Sequence, residues 1–212
     1  MTLVALSASY GAGGNVVGPE LAERLGVPFV DRAIPLQVAE RLDVSVDEAA
    51  AHDERAGESF LDRLLRGFIG TDISVPAPLP AETVTSEDFR NATEEVLLRQ
   101  ARTGAGVILG RAAMIVLREH PGVLRVRLDG PPERRVRQAM EVAGIDETTA
   151  RETVRRLDRA HAEYVRQFYD ADIHDPRLYH LVIDSTAIAL DACVELIARA
   201  AEGLREAAPD GG

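Results

Sequence analysis

Residues 3–25 constrain the fold of this chain more than any other stretch. A short apolar run, Leu3-Val4-Ala5-Leu6, leads into a glycine-rich turn from Ser7 to Asn15. Helical spacing of Val17, Leu21, Ala22 and Leu25 follows. In that order of strand, turn and helix, backbone N–H groups of the turn and the helix start converge on an anion. The usual pattern is G-x-x-x-x-G-K-[ST], and over the same window this chain reads Ala8-Ser9-Tyr10-Gly11-Ala12-Gly13-Gly14-Asn15. The glycines that let the backbone curl are present. Gly14, however, stands in the place of the lysine, and Asn15 in the place of the magnesium-binding hydroxyl. A plainer reading of the turn is a tight connection with no ligand; the strand before it and the helix after it favour the anion. Ser9, Tyr10, Gly11, Ala12, Gly13, Gly14, Asn15 and Val16 are therefore the candidate phosphate-binding residues.

Composition sharpens the consequence of the missing lysine. All 24 basic residues are arginine, so no lysine elsewhere in the chain can replace it. Phosphate charge must be met by arginine, backbone amides or metal. The net charge of −11 argues against nucleic acid or an anionic membrane as partner. No apolar run reaches the length needed to span a bilayer, and the start of the chain lacks a basic segment followed by a long apolar one. A cytoplasmic protein is expected. The one cysteine, Cys193, forms no intrachain disulfide and sits in the apolar pattern of the last helix, where a packed small side chain is its expected role.

Along the chain, short apolar strands alternate with helical patterns. Strands are expected at Leu3-Val4-Ala5-Leu6, Phe29-Val30-Asp31, Val107-Ile108-Leu109, residues 123–129 and residues 179–184. Helical patterns cover 34–42, 46–55, 59–68, 87–102, 112–119, 147–169 and 190–204; a further one is opened by Pro131-Pro132 and stops near Gly144, and Asp146 is the N-cap of the 147–169 helix. Pro76, Pro78 and Pro80 forbid a regular element between 70 and 85, and residues 208–212 form a frayed tail. One α/β domain over 1–207 follows, with a parallel sheet covered on both faces. Ligands in such sheets sit outside the carboxyl ends of the strands. Those ends carry residues 9–15, Asp31, Arg111, Asp129 and Asp184-Ser185-Thr186.

Five segments occur in order: the loop at 9–15, Val107-Ile108-Leu109-Gly110-Arg111, Arg125-Val126-Arg127-Leu128-Asp129 before Pro132-Glu133-Arg134, Leu157-Asp158-Arg159, and Asp184-Ser185-Thr186. On these the chain resembles the cytidylate kinase-like branch of the P-loop nucleoside monophosphate kinases, from Leu3 to about Arg199. The resemblance implies a three-layer α/β/α P-loop kinase fold with a five-stranded parallel core sheet and a helical lid. It also implies an acceptor-binding helical insert at about 31–85 and the lid at about 146–176. ATP and Mg2+ are the implied cofactors, with residues 9–16 on the donor phosphates. Arg111, Asp158 and Arg159 would carry catalysis, and Asp31, Arg111, Asp129, Arg155 and Arg156 would bind the acceptor. This chain departs from the family pattern at Gly14, Asn15, Gln37, Ala112 and His161.

Each of these residues also has a reading without a ligand. Arg111 could serve a surface ion pair, Asp129 could cap the next helix, and the arginines around Asp158 could form a solvated helical face. His161, His174 and His180 lack i,i+4 spacing, so no metal site is expected. Gly11-Ala12-Gly13-Gly14-Asn15-Val16 is not the dinucleotide fingerprint, and Ser185 lacks a nucleophile elbow. The expected function is ATP-dependent phosphoryl transfer to a nucleoside monophosphate or similar small phosphorylated acceptor. Two rivals stand beside it. One is a nucleotide- or phosphate-binding protein of the same fold without turnover. The other is an interaction protein using the acidic helices at 46–68 toward a partner or a second copy, as in a homodimer.

Overall fold

The computed structural model describes residues 2–30, 86–110 and 112–207. Asp31, Arg111, Gln37, the helical patterns between 34 and 68, the proline-rich stretch and the 208–212 tail lie outside the described residues. Among the described residues five strands are present: β1 Leu3–Ala8, β2 Phe29–Val30, β3 Gly106–Leu109, β4 Val123–Asp129 and β5 Leu181–Asp184. All pair in parallel, in the order β2-β3-β1-β4-β5. The described helices are α1 Gly14–Leu25, α2 Ser86–Thr103, α3 Ala113–Val116, α4 Pro132–Ala143, α5 Glu147–Tyr169 and α6 Leu190–Ala207.

The two-residue period of a strand sorts β1 onto two cores. Leu3 and Ala5 pack with Val30, Ile108 and Val123 beneath Val96 and Leu97 of α2 and Leu117 after α3. Val4 and Leu6 face the other way, with Val107, Val126 and Leu128, onto Val17 and Leu21 of α1 and Cys193 and Ile197 of α6. Both faces of β1 are therefore apolar, as a strand at the centre of a covered parallel sheet requires. Cys193 is buried in this second core, the packed role its sequence position implies.

Two elements differ from their sequence patterns. The helix expected over 112–119 is regular only at Ala113–Val116. Beyond it the chain tightens, with Arg118 N–H on Ile115 O and His120 N–H on Leu117 O, before Pro121. The last strand begins at Leu181 rather than Tyr179. Asp175 caps a short 3-10 turn at Pro176–Leu178, and the Tyr179 amide closes that turn on Pro176 O at 3.1 Å, which keeps Tyr179 out of the ladder; its hydroxyl donates to Ile173 O at 2.8 Å. The expected cap of the long helix is in place: Asp146 accepts from the Thr149 amide at 3.0 Å.

Ile197, fully buried between α6 and the sheet, tests this layering. Ile197→Ala is expected to lower unfolding free energy by about 2–5 kcal/mol, seen as a lower urea midpoint at unchanged slope.

Candidate functional site: the loop between β1 and α1

The chain leaves β1 toward β2 and β3 on one side of the sheet and returns to β4 on the other. The carboxyl end of β1 is thus the switch point of the sheet, where open α/β folds bind ligands. The loop there is held at both ends. Ser9 N–H donates to Leu128 O at 3.1 Å and Ala12 N–H to Ser9 O at 3.0 Å. Buried Ser185 donates its hydroxyl to Ala12 O at 2.8 Å, and Arg135 Nη1 donates to Tyr10 O at 2.9 Å.

Gly11 and Gly13 adopt φ of 78° and 75°, a region that L side chains rarely enter. Gly11 is required on a second count: a Cβ there would lie 2.3 Å from the Arg135 carbonyl oxygen. Gly13 is the N-cap of α1 and offers no side-chain cap. The amides of Gly11, Gly13, Gly14 and Asn15 accordingly find no acceptor among the described residues. Unpaired N–H groups at the positive end of a helix dipole are what an oxyanion takes. Gly14 is buried and Asn15 exposed, with Val16 between these extremes.

Two buried arginines brace this loop, and sequence reasoning assigned a site role to neither. Arg127, 4% exposed, donates from Nη2 to Ser9 Oγ at 2.9 Å and to Asp129 Oδ2 at 3.1 Å. The same nitrogen reaches His174 Nδ1 at 3.3 Å. Arginine cannot accept, so His174 accepts at Nδ1 there. The guanidinium also lies 5.8 Å from the centre of the Tyr179 ring. Arg135, 4% exposed, donates from Nε to Gly130 O at 2.8 Å. It grips Asp158 with both Nη atoms, at 3.1 and 2.7 Å, and its Nε lies 3.5 Å from Asp129 Oδ1. The signals were present in the sequence. Arg127 and Asp129 stand two apart on a strand and so share a face, and Arg135 precedes Val136 on the buried face of α4.

Burial pushes the Asp129 carboxyl up, but Arg127, the Gly130 amide, the Ser9 hydroxyl and Arg135 together bring it below its ordinary value. Asp129 thus contacts the next turn and is also the counter-charge of two buried cations. Asp184 accepts from Thr186 Oγ1 and amide and pairs with Arg134.

The structure brings Ser9, Tyr10, Ala12, Asp129 and Asp158 into one network with Arg127, Arg135 and Ser185. It does not bring Arg155 and Arg159 there: both lie exposed along α5, with Arg156 half-buried. Among the described residues no group of three or more His, Cys, Asp or Glu is placed to hold a metal ion, and no helix is long and apolar enough to cross a membrane.

A central parallel sheet, helices on both faces and an amide-lined loop after β1 define a three-layer P-loop kinase fold. The chain belongs to the cytidylate kinase-like family, whose pattern it matches over residues 3–187. It superposes on an uncharacterized protein from Eubacterium ventriosum with a TM-score of 0.65 at 18% identity, covering 95% of this chain and 99% of that one. Shikimate kinase from Bacteroides thetaiotaomicron gives 0.50 at 18% identity, over 97% and 98% of the two chains. A stretch of 112 residues, 53% of this chain, is 29% identical to uronate isomerase from Corynebacterium glutamicum, and spans only 21% of that protein.

Two outcomes test the network. Arg135→Ala leaves Asp158 without its buried partner and Asp129 with Arg127 alone, and is expected to cost about 3–5 kcal/mol of stability, measured by urea unfolding. The folded Asp129 pKa is depressed, so its charge stabilises the fold above the ordinary value of 3.8. That contribution is lost as pH falls through the lower folded value. The stability gap between wild type and Asp129→Asn is therefore expected to be full at neutral pH and to shrink below about pH 4.

Proposed function

We propose that this protein is an ATP-dependent phosphotransferase acting on a nucleoside monophosphate or a similar small phosphorylated acceptor. The observation that carries the reading is the set of amides at Gly11, Gly13, Gly14 and Asn15 with no acceptor among the described residues, at the switch point of a kinase-type sheet. Phosphoryl transfer asks little covalent chemistry of a protein. It needs two anionic groups aligned and their charge neutralised.

The donor phosphates fit this loop: they are acceptors, and the loop presents four amide donors with no acceptor among the described residues. Mg2+ fits less well. Asn15 offers an amide where the pattern has a hydroxyl, and the Asp129 oxygens face Arg127 and Arg135. A magnesium ion would therefore arrive on the phosphates of ATP, held chiefly by them, and would there offset part of their charge. In this reading Asp129, with Asp31, Arg111, Arg155 and Arg156, forms the acceptor side. Arg111, Asp158 and Arg159 act on the reacting phosphates, and α5 with the turn to 176 serves as the lid. Arginine suits these tasks because its planar fork binds phosphate oxygens in pairs. A cytoplasmic setting belongs to the same proposal.

A second reading is a nucleotide-binding protein without turnover. What favours it is that Arg127 and Arg135, the buried cations next to the loop, are already paired with Asp129 and Asp158.

A thermal-shift panel of nucleoside mono-, di- and triphosphates with magnesium, run beside an assay of ADP formation with each monophosphate, separates the readings. The phosphotransferase reading expects a raised midpoint with ATP and acceptor-dependent ADP formation. A shift without turnover would favour binding alone. No shift with any nucleotide would favour the interaction-protein alternative.

A further inference from the structure

Gly14 is a glycine for a reason different from Gly11 and Gly13. Its φ is not positive, and it occupies the first turn of α1, a conformation open to any L residue. What excludes a side chain is contact. A Cβ on Gly14 would lie 2.5 Å from Ala8 Cβ and 3.3 Å from Leu109 Cδ1. The leucine methyl can swing aside. Ala8 Cβ cannot, because it is fixed to the last residue of β1, whose partner across β4 is Leu128. In the pattern G-x-x-x-x-G-K-[ST] the first glycine falls at Ala8 and the lysine at Gly14. Here the two positions are exchanged in size: the small residue has gained a methyl where the large one has lost its side chain.

We infer that Ala8 and Gly14 form a reciprocal steric pair, in which the Ala8 methyl bars any side chain, and so a lysine, from the first turn of α1. Ala8 is then the residue that determines what kind of phosphate site this loop can be. With it in place, an anion is taken on backbone amides, and further cationic help must come from arginine. The inference deepens the phosphotransferase reading and rests on it only for the identity of the anion; the steric part stands on the contact alone.

The contact is tested by a stability cycle on the full chain: Gly14→Ala, Gly14→Lys, Ala8→Gly, Ala8→Gly/Gly14→Ala and Ala8→Gly/Gly14→Lys, each by thermal unfolding without ligand. Overpacking predicts that Gly14→Ala lowers the midpoint by roughly 2–10 °C in the wild-type background. In the Ala8→Gly background the same change is expected to cost little or to raise the midpoint, because helix interiors favour alanine over glycine. Gly14→Ala keeps the test decisive even if Gly14→Lys alone fails to fold. Equal costs in the two backgrounds would overturn the inference. Magnesium ATP is then titrated against wild type and Ala8→Gly/Gly14→Lys. A folded double variant binding about tenfold tighter or better places the cation where the pattern has it, in line with a hydrogen bond to a charged group. Unchanged affinity in a folded double variant would overturn the assignment of Gly14 to the cation's place. Absence of ATP binding by wild type would sink the phosphotransferase reading, while the stability cycle still decides the steric pair.

Discussion

The buried guanidinium of Arg135 is the point on which the described site depends. It joins the loop at Tyr10 O, the turn after β4 at Gly130 O and the long helix α5 at both Asp158 oxygens. A cation taken out of water is costly unless its hydrogen-bonding capacity is met. Here that demand is met only if loop, strand end and helix hold their relative positions. The backbone beside it adds a steric limit, since its carbonyl approaches Gly11 too closely for any Cβ. The same residue thus fixes where the loop runs and what it is made of.

Arg127, on β4 itself, performs a parallel task. It ties Ser9 to Asp129 and to His174 in the return from α5. The two arginines share Asp129 as counter-charge, so the local charge is close to balanced before any ligand arrives. Anion binding then relies on the amides of the loop and on cations brought in from outside this network. That is the physical content of losing the loop lysine in a chain that has none to spare.

The sheet was legible in the sequence because its strands are short runs rich in apolar residues, and β2 to β5 each end at or just before a glycine or an aspartate. Parallel order followed from the alternation of strands and helices. The Asp146 cap and the Gly144 stop were equally legible, since local hydrogen bonding alone determines them. Tyr179 was not: its aromatic ring suits a strand, yet its amide closes the 3-10 turn on Pro176 O and its hydroxyl folds back to Ile173 O, so the chain joins the sheet two residues later. Arg127 and Arg135 were missed because arginine is usually a surface residue. Only the packing of α4 and α5 against the loop makes Arg135 interior, and only the approach of Ser9, His174 and Tyr179 encloses Arg127. The reason for Gly14 was hidden in the same way, since its neighbour Ala8 comes into contact only once the turn is closed.

The measurement that bears most directly on this account is a crystal structure with a non-hydrolysable ATP analogue and magnesium. The account predicts phosphate oxygens within hydrogen-bonding distance of the Gly11, Gly13 and Gly14 amides, with the Arg135 contact to Tyr10 O retained. A nucleotide bound elsewhere, or a loop whose amides turn away and are filled by a side chain of the protein itself, would contradict it.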